Sequence, residues 1–187
     1  LRTYTARPSW IPESKKPILY ITGGSQGSQI INQTVGHILD ELTEKFLVIH
    51  QCGQSEHERY LLELQDKAAS LPKNQQDAYV VREWIAEKEL SWIMQHAALI
   101  VSRSGANTTQ EIMLHAVPAI FIPLPFSHNN EQFKNAQELF EAGSAFLLEQ
   151  RDLDPNTLWS AIQNASANRA HMRKRAERVK EQLRTDG

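Results

Sequence analysis

Six short runs of apolar and β-branched residues, separated by stretches with helical spacing, constrain this chain more than any other feature. The runs are Ile18 to Thr22, Phe46 to His50, Ala78 to Val81, Leu99 to Ser102, Ala119 to Ile122 and Ala145 to Leu148. Each is continuous rather than alternating, as expected of strands buried on both faces. Between them Ile30, Ile31, Val35, Ile38, Leu39 and Leu42, then Tyr60, Leu61, Leu64 and Ala68, then Ile112, Met113 and Ala116 recur at helical spacing. Each stretch can lay one apolar face on a sheet. Strand and helix in alternation predict right-handed βαβ units, hence an α/β fold with a Rossmann-like, doubly wound parallel sheet. Asp154-Pro155 supplies an N-cap and a first-turn proline, and two helices with no strand between them complete the chain. Residues 1–16, with Pro8 and Pro12, read as an extended linker or domain entry, leaving 17–187 as one compact domain.

Charge and cysteine content remove several function classes. Twenty basic against 22 acidic residues, a net charge of −2, give no general attraction for nucleic acid or anionic lipid. Cys52 is the single cysteine, so no disulfide framework or soft-metal cluster is available and a cytoplasmic setting is expected. It reads as a small buried residue. The seven histidines form no ligand pair at helical spacing, so no metal site is expected. No apolar run approaches the roughly 20 residues needed to cross a bilayer. The opening Leu1-Arg2-Thr3 carries neither a methionine nor a signal-like stretch, which leads us to expect a cut inside a longer protein. The basic run Arg169, Arg173, Lys174, Arg175 and Arg178, interleaved with Glu177 and Glu181, reads as a solvated helix face, with membrane or partner contact as the alternative.

In a doubly wound sheet ligands bind beyond the carboxyl ends of the strands, so three loops stand out. The first is Thr22-Gly23-Gly24-Ser25-Gln26-Gly27-Ser28, between a strand and a helix. Its glycines allow close backbone approach, and the helix-start N–H groups with Ser25 suit a phosphate; the plainer alternative is a tight turn that needs glycine for its geometry. The loop lacks the G-x-G-x-x-G spacing, and His50-Gln51-Cys52-Gly53 ends the second strand without an acid for an adenosine ribose. No Lys-Ser or Lys-Thr pair follows it, so NAD and ATP are both disfavoured.

The second loop runs from Ser102 through Arg103, Ser104, Gly105, Ala106, Asn107, Thr108, Thr109 and Gln110 to Glu111. Glu111, expected in the first helical turn, can accept two hydrogen bonds from a sugar diol, or can simply be an acid placed favourably at a helix N-terminus. Arg103 can equally be a packing residue. The third loop, Pro123 to Ala136, is dense in amide side chains, which carry both a donor and an acceptor and so suit sugar hydroxyls. Its alternative is a polar loop with a capped helix.

Taken in order, these segments resemble the C-terminal domain of MurG-type N-acetylglucosaminyltransferases. The match comprises Gly23-Gly24-Ser25-Gln26-Gly27, His50-Gln51-Cys52-Gly53, Arg103-Ser104-Gly105-Ala106 with Glu111, and Pro123-Leu124-Pro125-Phe126 followed by Gln132 and Asn135-Ala136. The resemblance implies the donor half of a GT-B glycosyltransferase that binds UDP-N-acetylglucosamine. Ser25 and the backbone of Gly24, Gln26 and Gly27 would contact the diphosphate. Ile85 would present its backbone to uracil, with Trp84 covering the ring. Glu111 would hold the ribose hydroxyls, while Arg103, Ser104, Gly105 and the segment Ala106, Asn107, Thr108, Thr109, Gln110 line phosphate and ribose. Gln132 and Asn135 would read the sugar, and Arg2 would lie near the donor. Glu131 and Asn107 depart from the family's commoner residues.

The resemblance further implies inverting transfer to a lipid-linked muramyl-pentapeptide, without a cofactor and without a metal held by an Asp-x-Asp motif. The acceptor contacts and the general base are expected in a separate N-terminal domain, toward which residues 154–187 would pack. No catalytic residue is therefore expected in this chain, and it should be inactive alone. The full protein is expected to be peripheral on the cytoplasmic face of the inner membrane, mainly through that other domain. Two alternatives stand beside this reading. One is a UDP-sugar-binding module active only with a separate partner chain; the other, ranked last, is a nucleotide-sugar epimerase, for which no acid/base set is found.

Overall fold

The structure is a computed structural model that describes residues 6–55 and 59–185. The fold divides into two compact units, Leu1–Ala97 and Ala98–Gly187. The first contains β1 (Ile18–Thr22), α1 (Gln29–His37), α2 (Leu39–Lys45), β2 (Leu47–Gln51), α3 (Tyr60–Ala69), α4 (Lys73–Gln76), β3 (Tyr79–Arg82) and α5 (Glu87–His96). Its strands lie in the order β3-β2-β1, all parallel, with Ile18 opposite Leu47 and Val48 opposite Tyr79. The second contains β4 (Ala97–Ser102), α6 (Ala106–His115), β5 (Ala119–Phe121), α7 (Glu131–Glu141), β6 (Ala145–Leu147), α8 (Pro155–Ala167) and α9 (Arg169–Thr185). Here the order is β4-β5-β6, again parallel, with Ile100 opposite Ala119 and Ala119 opposite Ala145. These are the two βαβαβ halves of a doubly wound fold.

The cores follow from the apolar runs. Leu19, Ile21, Val48 and Ile49 in the first unit, and Leu99, Ile100, Val101 and Ile120 in the second, are completely buried, as strands covered on both faces require. The helical stretch from Ile30 to Leu42 proves to be two helices. Ile38, at φ −121° and ψ 21°, leaves the helical region and separates α1 from α2, yet both flanking faces stay buried through Val35, Leu39 and Leu42. Sequence spacing passes over α5 altogether, because its buried residues Trp92, Ile93 and Met94 are consecutive and make no repeating stripe. At α8, Asp154 accepts the Thr157 N–H at 2.8 Å and Pro155 opens the helix, as its sequence signal predicts.

Within the entry segment, residues 8–11 pack against the rest of the first unit. Ile11 is buried, and its N–H closes a turn on Pro8. The Trp10 indole donates to Glu89 at 2.7 Å while the Arg82 guanidinium lies 4.2 Å over its ring, so residues 8–11 are docked on α5 and β3. No described helix is long and apolar enough to cross a membrane.

Candidate functional site

In the first unit, the loop after β1 is built against the loop after β2. A Cβ on Gly27, at φ +76°, would stand 2.1 Å from the Cys52 carbonyl, and one on Gly53 would stand 2.0 Å from the Gly27 nitrogen. Only glycine lets the two backbones touch in this way. The Gly24 N–H donates to the Thr22 hydroxyl at 3.0 Å, the Gly27 N–H to the Gly24 carbonyl at 3.1 Å, and the Gln54 N–H to the Ser25 carbonyl at 3.1 Å. Those bonds close the turn and leave Ser25 and Gln26 exposed at its tip. Gly24, at φ +93°, has no atom within 4 Å of the place a Cβ would occupy. A phosphate can therefore approach the tip directly, with α1 starting immediately behind it.

Ile85 and Trp84 lie after β3. The Ile85 side chain is core, and its N–H donates to the Gln51 side chain at 3.2 Å, so its carbonyl is the backbone group left to meet a base. Trp84 is 56% exposed, a ring held at the surface. Cys52 is fully buried, and that burial pushes its thiol up to about 11, which makes it unreactive at neutral pH. Arg2 lies outside the described residues.

In the second unit the structure brings Ser104, Gln132 and Asn135 together. The Ser104 hydroxyl donates to the Gln132 carbonyl at 2.7 Å, and the Asn135 amide donates to the Ser104 carbonyl at 3.0 Å. The Gln132 side-chain oxygen accepts the Leu124 N–H at 3.0 Å, and the Gln132 backbone N–H donates to the Ser127 hydroxyl. Those bonds fix the polarity of the two amides. Gln132 offers an NH2 donor outward and Asn135 a carbonyl acceptor, a pair suited to a sugar hydroxyl on each. The loop between β5 and α7 carries Phe126, Asn129 and Asn130 at positive φ, and Leu124, Phe126 and Phe133 help line a cavity of about 550 Å³.

One expectation from sequence is corrected here. Glu111 does not lie in the first turn of its helix: α6 begins at Ala106 with Gly105 as N-cap and has no acid in that turn. A helix-end charge effect fades beyond one turn, so the plainer explanation of Glu111 loses its force. The spacing Asp-x-Asp does occur, at Asp152-Leu153-Asp154. Asp154 is spent on the cap of α8 and Asp152 pairs with Arg151 at 3.6 Å, so this stretch is a helix start. Among the described residues, no group of three or more His, Cys, Asp or Glu is placed to hold a metal ion.

Arg103 has a structural employment that spacing could not show. Its guanidinium donates to the carbonyls of Ile122 and Pro123 and, at 2.7 Å, to the Gln150 side chain. Burial lowers it to about 10, still a cation at neutral pH. It thus ties the end of β4 to the loop after β5. Gly105, like Gly24, has nothing within 4 Å of a notional Cβ. Ala106, Asn107, Thr108, Thr109 and Gln110 form the opening of α6, with the Thr109 hydroxyl turned back on the Gly105 carbonyl at 2.9 Å.

Residues 18–186 match the glycosyltransferase family 28 C-terminal domain. The chain belongs to this family. It is 35% identical over 147 residues to the UDP-N-acetylglucosamine–N-acetylmuramyl-(pentapeptide) pyrophosphoryl-undecaprenol N-acetylglucosamine transferase of Prochlorococcus marinus, covering 78% of this chain and 37% of that protein. Identity to the protein of the same name from Corynebacterium efficiens is 36% over 165 residues, covering 88% and 41%. Among solved structures, Acinetobacter baumannii MurG superposes with a TM-score of 0.74 at 29% identity, over 90% of this chain and 46% of that one. The family 28 domain described here thus spans about two fifths of the length of the curated relatives it matches.

Proposed function

We propose that this chain holds the donor, UDP-N-acetylglucosamine, in an inverting transfer of N-acetylglucosamine to a lipid-linked muramyl-pentapeptide during peptidoglycan synthesis. The observation that carries this reading is the similarity, over 78–88% of the chain, to enzymes named for that reaction. The loops agree with it chemically. In the first unit, the Ser25–Gln26 tip would take the diphosphate, the Ile85 carbonyl the uracil N3–H, and Trp84 the face of the ring. In the second, Glu111 would accept from the ribose diol, with the Ser104–Gln110 segment alongside, while Gln132 and Asn135 meet the sugar. Charge developing on the departing UDP would be stabilised by the backbone donors of the first loop. The reading assigns no cofactor, metal or nucleophile to this chain. The general base and acceptor contacts would come from a separate N-terminal domain, and Arg2 would lie near the donor. That protein would work at the cytoplasmic face of the membrane, where cell-wall growth during division and shape maintenance needs its product.

Two substitutions test the parts. Glu111→Ala is expected to weaken UDP binding by roughly 1.5–3 kcal/mol, the range for hydrogen bonds to a charged group, and to bring uridine and 2′,3′-dideoxyuridine nucleotides to similar affinity. A variant that keeps the parental preference for the ribose form would show that Glu111 does not touch it. Gln132→Glu keeps the oxygen that Leu124 needs and removes the outward donor. In the complete enzyme it should lower kcat/KM for UDP-N-acetylglucosamine by roughly 10²-fold and narrow its margin over the C4 epimer, because a site built to hydrogen-bond one hydroxyl rejects its misplacement. Equal losses for the two donors would assign Gln132 to loop support alone.

A further inference from the structure

A histidine in the middle of a buried parallel strand is out of keeping with the run Leu47-Val48-Ile49 that precedes it. His50 is completely buried, and a buried polar ring is tolerated only where its hydrogen bonds are met. Both nitrogens are met. Nδ1 lies 2.8 Å from the Tyr79 hydroxyl on β3, and Nε2 lies 2.9 Å from Oδ1 of Asn32 on α1. The Asn32 Nδ2 in turn donates to the Cys52 carbonyl at 2.9 Å.

The direction of every bond follows. A carbonyl only accepts, so Asn32 must turn its NH2 to Cys52 and its oxygen to His50. That oxygen also only accepts, so Nε2 carries the ring proton and Nδ1 accepts from Tyr79. Burial, which lowers the ring to about 3, keeps it neutral throughout the physiological range. The whole relay has one donor–acceptor order, with no degenerate alternative.

What it ends on is the back of the first loop. The Cys52 carbonyl stands where a Cβ of Gly27 would be, Gly53 abuts the Gly27 nitrogen, and Gln54 holds the Ser25 carbonyl. Asn32 also donates its own backbone N–H to the Ser28 carbonyl at 2.9 Å, so a single residue grips both loops. We infer that His50 is a positioning residue for diphosphate binding, fixing through Asn32 the Cys52 carbonyl against which Gly27 and the Ser25 tip are set. This rests on the reading of the first loop as the diphosphate site. Small errors of placement matter there, because donors aimed at a phosphate lose their value within a fraction of an ångström.

The test is calorimetric titration of the chain with UDP and with uridine, which lacks the phosphates. The unsubstituted chain should prefer UDP. In His50→Leu, UDP affinity should fall roughly tenfold, the loss of about one well-placed hydrogen bond, while uridine stays within about twofold. His50→Gln, which restores a donor toward Asn32, should recover most of the difference. Should His50→Leu fail to fold, Asn32→Asp keeps volume and the acceptor for His50 but cannot donate to Cys52, and it should show the same selective loss. Parallel losses for UDP and uridine, or an unchanged preference for UDP in the folded variants, would overturn the positioning role alone. An unsubstituted chain that binds UDP no better than uridine would overturn the reading of the loop, and the positioning role with it.

Discussion

Gly27→Ala is expected to cost about 3 kcal/mol, or a fall in melting temperature of roughly 6–12 °C, whereas Gly24→Ala should cost only about 1–2 kcal/mol. Both residues have positive φ, so both variants place an L-residue in the left-handed half of backbone space. They differ in what the new methyl meets. At Gly27 it would stand 2.1 Å from the Cys52 carbonyl, a backbone atom held by the Asn32 amide, and so unable to retreat without undoing the relay to His50. At Gly24 it meets nothing within 4 Å. The functional order should be reversed in proportion: Gly24→Ala places its methyl on the face a phosphate would use, so its loss of UDP affinity should exceed its loss of stability. Thermal unfolding followed by circular dichroism, with UDP titration of the same samples, measures both. Equal destabilisation by the two substitutions would mean that the contact between the loops does not constrain Gly27.

Stability should decline as pH falls from about 6.5 towards 3, and His50 is the principal cause. In the unfolded chain a histidine titrates near 6.5. In the folded chain burial lowers His50 to about 3, so between these values the unfolded state binds a proton that the native state refuses. The stabilising contribution is therefore complete above about 6.5 and is lost progressively as pH drops to the folded value. At pH 5 the loss should approach about 2 kcal/mol, at close to 1.4 kcal/mol for each pH unit. His115, lowered by burial and then by Lys180, acts with the same sign. Urea midpoints at pH 7.5 and pH 5 compare the parent with His50→Gln, which has nothing to titrate at this position. The parent's midpoint should drop more. Equal drops would place the acid sensitivity elsewhere.

The strands were legible because their signals are local: continuous apolar runs located all six to within about two residues at either end. The glycines of the first loop pointed to a phosphate or a tight turn, and gave no sign of the Cys52 carbonyl against which Gly27 is set. The start of α6 was misread because Ala106-Asn107-Thr108-Thr109 contains poor helix formers that commonly cap. Thr109 sits inside the helix by turning its hydroxyl back to the Gly105 carbonyl, and this moves Glu111 into the second turn. Partners distant in sequence were invisible. Arg103 finds its acceptors 19, 20 and 47 residues away, and His50 finds Asn32 and Tyr79 at separations of 18 and 29. A charged or polar residue next to a motif looks like part of the motif until the fold shows which neighbours it serves. The amides of Gln132 and Asn135 are an intermediate case: their density suggested a sugar, but only the bonds to Leu124 and Ser104 show which end of each amide remains to meet one.

Titration of the folded chain with UDP-N-acetylglucosamine, beside ATP and NAD, tests the central claim most directly. The account predicts saturable binding of UDP-N-acetylglucosamine, with ATP and NAD weaker by at least roughly tenfold, because a site that hydrogen-bonds the uracil edge leaves those groups unpaired against adenine. Equal affinity for ATP or NAD, or no binding of any uridine nucleotide by a sample shown to be folded, would contradict it.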